Sequence, residues 1–86
     1  MPEISRFYGI IIRMYYLDHN PPHFHAEYQG HKAEYNINTL ELIVGDMPRR
    51  ANSLILEWAS IHREELVENW QLARAQEELI KITPLD

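Results

Sequence analysis

The sequence predicts an α+β fold, an antiparallel four-stranded β-meander with one long C-terminal helix packed across one face. Three observations lead there. Over residues 8–44, β-branched and aromatic side chains come in short alternating runs divided by turn residues. Over residues 48–76, apolar residues recur at helical spacing instead. Each pattern leaves one large apolar surface, and each surface is the other's only available partner.

The first strand is expected over residues 8–16, Tyr-Gly-Ile-Ile-Ile-Arg-Met-Tyr-Tyr, a run rich in residues that suit a pleated surface. The following Asp18-His19-Asn20-Pro21-Pro22 favours a turn and stiffens the approach to the next strand. Residues 23–28 and 31–37 alternate on either side of Gln29-Gly30, which reads as a hairpin with a two-residue loop. That loop pairs Tyr28 with His31, Ala26 with Ala33 and Phe24 with Tyr35. One face then carries Phe24, Ala26, Tyr28, Ala33, Tyr35 and Ile37; the other carries His23, His25, Glu27, Lys32, Glu34 and Asn36. A second two-residue turn at Asn38-Thr39 pairs Ile37 with Leu40 and sets Leu40, Leu42 and Val44 on the apolar face. Pro48 suits the first helical position, with Asp46 or Met47 as cap. The stripe Leu54, Ile55, Trp58, Ile61, His62, Leu66, Trp70 and Ala73 carries the helix to about Gln76, with a kink near His62. Laid across the sheet, this helix brings Trp58, Tyr35 and Leu42 together. Residues 79–82 add an edge strand or pack as a tail.

At 86 residues the chain is expected to be a single domain, residues 1–86. Thirteen acidic against eight basic residues give a formal charge of −5, which disfavours nucleic acid as a partner without excluding a local basic patch. There is no cysteine, hence no disulfide and no thiolate chemistry. The N-terminus lacks the pattern of a signal peptide, and the longest apolar run, near Ile10 to Ile12, is too short to span a bilayer. A cytoplasmic protein without membrane association is expected.

Chemistry concentrates in Asp18-His19-Asn20-Pro21-Pro22-His23-Phe24-His25, which holds three of the five histidines. His23 and His25 stand side by side on one strand face, with Glu34 opposite His25 across the hairpin. Two histidines and a carboxylate are donors that zinc and related divalent metals accept. The plainer reading is a solvated polar strand face; it predicts no cofactor and little effect of zinc on melting. If Ile10, Ile12 and Met14 face the core, Ile11, Arg13 and Tyr15 join the histidine face. Arg13, His23, His25 and Glu34 then form the catalytic kit of a metal-free ribonuclease: Glu34 orients His25, a histidine shuttles the proton, and Arg13 stabilises the phosphorane. The alternative for Arg13 is an ordinary cross-strand pair with Glu27 or Glu34. His19 is a further candidate binding residue. Arg49 and Arg50 are others, because positive charge in a first helical turn opposes the macrodipole unless a nearby carboxylate neutralises it. His62 is expected to be partly buried and bonded to a carbonyl or to Glu65.

The residues Met1-Pro2-x-Ile4-Ser5-Arg6-Phe7-Tyr8-Gly9, Asp18-His19-Asn20-Pro21-Pro22-His23-Phe24-His25-Ala26, Leu56-Glu57-Trp58-Ala59 and Glu65-Leu66-x-x-Asn69-Trp70 resemble the family of small bacterial proteins catalogued as domain of unknown function 4160. The resemblance implies no activity. It does imply a two-gene, toxin-antitoxin-like unit in which the partner is a small protein of the domain of unknown function 2442 type. On that footing the chain is expected to be an interaction module. The alternatives are a small ribonuclease-like enzyme and a divalent-metal-binding domain.

Overall fold

The computed structural model describes residues 2–86, and Met1 lies outside them. Five strands, β1 (Glu3–Phe7), β2 (Ile10–Arg13), β3 (His23–Tyr28), β4 (His31–Asn36) and β5 (Leu42–Gly45), form one antiparallel sheet in sequential order. Two helices follow, α1 (Arg49–Ile61) and α2 (Arg63–Arg74). The expected four-stranded meander with one long helix is therefore corrected on both counts.

The additional strand arises because residues 8–16 are not one strand. Tyr8 and Gly9 both take positive φ, 52° and 79°, and close a two-residue loop that pairs Phe7 with Ile10. The signal was present in Gly9, which tolerates that conformation at no steric cost. The outer edge of β1 is covered by the C-terminal tail, where the Ile82 amide donates to the Ile4 carbonyl at 2.8 Å. Residues 79–82 form no strand.

The helix breaks at His62, whose φ of −111° and ψ of 25° leave the α region. Length supplies a reason. An unbroken helix over residues 48–76 would be roughly 44 Å long, whereas the molecule measures 33 × 25 × 22 Å. Two shorter helices keep both buried stripes on the core: Ala51, Ile55, Trp58 and Ala59 from α1, and Leu66, Asn69, Trp70 and Ala73 from α2. Pro48 is the residue before α1 and neither Asp46 nor Met47 caps it; no side chain does.

The β3–β4 register is the one the Gln29-Gly30 loop dictates, including His25 opposite Glu34 and Glu27 opposite Lys32. At β5 the expected register fails. The Asn36 amide takes the Glu41 carbonyl at 2.9 Å, so the loop spans residues 37–40. A bulge then places Leu42 opposite Tyr35 but Val44 opposite Glu34, leaving Ile43 unopposed. Val44 thus joins the histidine face. Leu42 is exposed at the sheet margin rather than packed with Trp58 and Tyr35. Gly45 ends the strand at φ 84°, where a Cβ would run into the Lys32 carbonyl. The core proper is Trp58 between Phe7 and Phe24, at centroid distances of 5.4 and 5.9 Å, with Phe24 stacked on Tyr35 at 5.4 Å. Among the described residues, no helix is long and apolar enough to cross a membrane.

Candidate metal centre

β3 opens at His23, directly after Pro22, and the Asn20–Pro21 peptide bond is cis. The period of two places His23 and His25 on one face, with imidazole centroids 5.1 Å apart. Residues 14–22 then return across the end of the sheet. α2 anchors that return. The Leu17 amide donates to the Ala73 carbonyl at 3.4 Å, and Arg74 Nη1 donates to the Asp18 carbonyl at 3.4 Å. Leu17 adopts φ 55°, and the chain delivers the Asp18 side chain between the two histidines.

Asp18 Oδ2 lies 2.9 Å from His23 Nε2 and 3.1 Å from His25 Nε2. Glu34 Oε1 is 3.5 Å from the same His23 nitrogen. Tyr15 meets the His25 ring edge-on at 4.4 Å, and Trp70 stands 5.3 Å from the His23 ring, which is only 2% exposed. The other nitrogen of His23, Nδ1, is 2.7 Å from the Pro21 carbonyl oxygen. A carbonyl only accepts, so Nδ1 carries the proton in that bond. In a neutral ring, Nε2 is then a lone pair pointing at carboxylate oxygens. Two acceptors at this distance require a positive species between them, either a second proton on His23 or a cation.

The Asp18 carboxyl stays ionised to lower pH than usual. Burial by itself would raise it, but the hydrogen bond from His25, the His19 backbone amide and the charge of the His23 and His25 rings outweigh burial and hold it below the ordinary aspartate value. Asp18, His23 and His25 each offer one ligand atom, and these atoms all lie within 4.8 Å of one another. Ligands about 2.0 to 2.2 Å from a tetrahedral zinc stand roughly 3.3 to 3.5 Å apart. The two carboxylate–imidazole separations, 2.9 and 3.1 Å, are within a few tenths of an ångström of that spacing.

The residues expected from sequence fall into three groups. His23, His25 and Glu34 are brought together, but the carboxylate between the histidines is Asp18, with Glu34 behind it. Arg13 lies opposite His25 in the register and donates its Nε–H to Glu27 Oε2 at 3.1 Å. His19 is exposed and turns its ring to the other Asp18 oxygen, with Nδ1 at 3.3 Å from Oδ1. Arg49 and Arg50 begin α1 after β5, two strands away from β3, and are exposed. The carboxylates of Asp46 and Glu3 are engaged elsewhere, with His31 at 2.9 Å and with Arg6 at 2.8 Å. His62 bonds Glu65 at 2.5 Å.

Asp18 was legible only as a turn residue. Its signal would have been spacing: a carboxylate five positions before His23 and seven before His25, separated from them by a proline pair that reverses the chain. Trp70 was legible only as part of a helical stripe.

Among protein families, the model described as "Domain of unknown function (DUF4160)" matches residues 9–71, which include every residue of this cluster. No curated protein and no solved structure matches the chain.

Proposed function

The chain belongs to the domain of unknown function 4160 family, and we propose that it is a divalent-metal-binding domain whose centre is Asp18, His23 and His25. The observation that carries this reading is His23. Its Nδ1–H is committed to the Pro21 carbonyl, so its buried Nε2 faces Asp18 at 2.9 Å, and a metal cation between them would satisfy both atoms as a second ring proton would. A backbone carbonyl that fixes the tautomer of a ligating histidine is the usual outer-shell arrangement of metal sites. The donor set, two imidazoles and one carboxylate, suits zinc and other first-row divalent ions and leaves coordination positions for water or substrate. Glu34, whose Oε1 is 3.5 Å from His23 Nε2, would be the base for a water held at such a position, and this favours a metal-assisted hydrolytic role over the metal-free ribonuclease scheme. In that scheme Arg13 serves the reaction, whereas its Nε here serves Glu27.

The test is zinc binding by calorimetry on protein stripped with a chelator. One equivalent is expected to bind, and a hundredfold excess over the dissociation constant should stabilise the fold by about 2.7 kcal/mol. Asp18→Ala and His25→Ala should each abolish that response while leaving the circular dichroism unchanged. Zinc uptake by wild type no greater than by Asp18→Ala would refute the proposal.

A further inference from the structure

A half-open cleft of about 150 Å³ adjoins the histidine cluster on the same sheet face, lined by Tyr15, His25, Glu27, Lys32, Glu34 and Val44. His25 belongs to both. Its floor is the backbone at Ala26 and Ala33, small residues whose side chains turn to the core. Val44 forms part of the wall because the β5 bulge turns it to this face.

The charges in the cleft are unequally engaged. Glu27 accepts from Arg13 at 3.1 Å, and Glu34 is drawn to His23 at 3.5 Å. Lys32 has no ion pair among the described residues, although it sits opposite Glu27 in the register. Lys32 is two positions before Glu34 on the same strand face, and Glu34 is opposite His25, so the lysine and the imidazole border the same cleft. An oxyanion can take a metal ion with one oxygen and an ammonium group with another.

We propose that this cleft binds a phosphate dianion, one oxygen on the metal held by Asp18, His23 and His25 and another on the Lys32 ammonium. The proposal rests on the metal reading above. The phosphate is either free or the terminal group of a monoester; at neutral pH a monoester is largely dianionic, and free phosphate is a mixture of the mono- and dianion. The cleft volume, worth about five waters, admits the phosphoryl group and leaves the remainder of an ester outside.

The experiment loads the protein with cobalt(II) as a visible probe, then titrates inorganic phosphate and, separately, phenyl phosphate. Both titrations should change the cobalt spectrum saturably. Lys32→Ala should weaken phosphate about ten- to a hundredfold, the loss of one charge-assisted hydrogen bond, while cobalt affinity stays at the wild-type value. Lys32→Arg should remain within about threefold of wild type. A response to inorganic phosphate alone identifies the free ion as the ligand, and equal responses identify the phosphoryl group of an ester. Cobalt binding with no spectral response to either probe, or with equal phosphate affinity in Lys32→Ala, overturns the phosphate site and spares the metal centre. Failure to bind cobalt at all overturns both.

Discussion

Trp58 joins the sheet, α1 and the C-terminal tail, so two substitutions there can separate its contributions. The ring is fully buried against Phe7 and Phe24, and its Nε1–H donates to the Thr83 carbonyl at 2.9 Å. Trp58→Phe keeps an aromatic ring, loses one hydrogen bond at about 1 kcal/mol and removes part of the buried apolar volume, for a total of roughly 2 to 3 kcal/mol. Trp58→Ala removes nearly all of that volume and should cost about 3 to 5 kcal/mol. A chain of this length holds only about 4 to 13 kcal/mol in total. The alanine variant is therefore expected at the margin of folding, with the phenylalanine variant between it and wild type. Urea denaturation followed by circular dichroism measures both. Native-state hydrogen exchange at Ile82, whose amide bonds the Ile4 carbonyl, reports on the tail. That amide should lose more protection in Trp58→Phe than the amides of the β3–β4 pair, because the lost bond is the tail's own. A Trp58→Ala protein with a wild-type urea midpoint would refute the packing, and unchanged Ile82 exchange in Trp58→Phe would refute the tether.

Two further substitutions test buried polar contacts. Asn69, 1% exposed, both donates to the Ile80 carbonyl at 2.8 Å and accepts from the Ile80 amide at 2.9 Å, as a neighbouring strand would. Asn69→Ala should cost about 2 kcal/mol, or roughly 10 °C in melting temperature, and Asn69→Asp should cost more by setting a carboxylate against the Ile80 carbonyl; an aspartate variant as stable as wild type would contradict the geometry. Burial pushes the Tyr35 phenol up to about 12 from its ordinary 10, while its hydroxyl donates to Asn52 Oδ1 at 2.6 Å. Because the protonated form is the one favoured by folding, this contribution is complete below pH 10 and falls as the pH rises toward 12, by about 1.4 kcal/mol at pH 11. Urea midpoints at pH 9 and 11 should therefore fall more steeply in wild type than in Tyr35→Phe, and parallel losses would count against it.

The β3–β4 hairpin, with His23 and His25 on one face and Glu34 opposite His25, was determined by the sequence alone. A two-residue loop at Gln29-Gly30 admits one register, and period-two alternation then assigns every side chain to a face. The helical spacing from Leu54 to Ala73 was equally local: Ile55, Trp58, Leu66, Trp70 and Ala73 are buried as it required, although Ile61 is exposed. The tertiary structure decided the rest. A kink near His62 was expected, but the full break into two helices there, at a site without proline or glycine, answers to the size of the core beneath it. The β5 bulge answers to the Asn36–Glu41 closure, and its consequence is the exchange of Val44 between faces. Most of all, the place of Asp18 depended on residues more than fifty positions away. The path of residues 14–22 is held by Ala73 and Arg74 at the end of α2, and a loop of that length has no register of its own to fix where its carboxylate arrives.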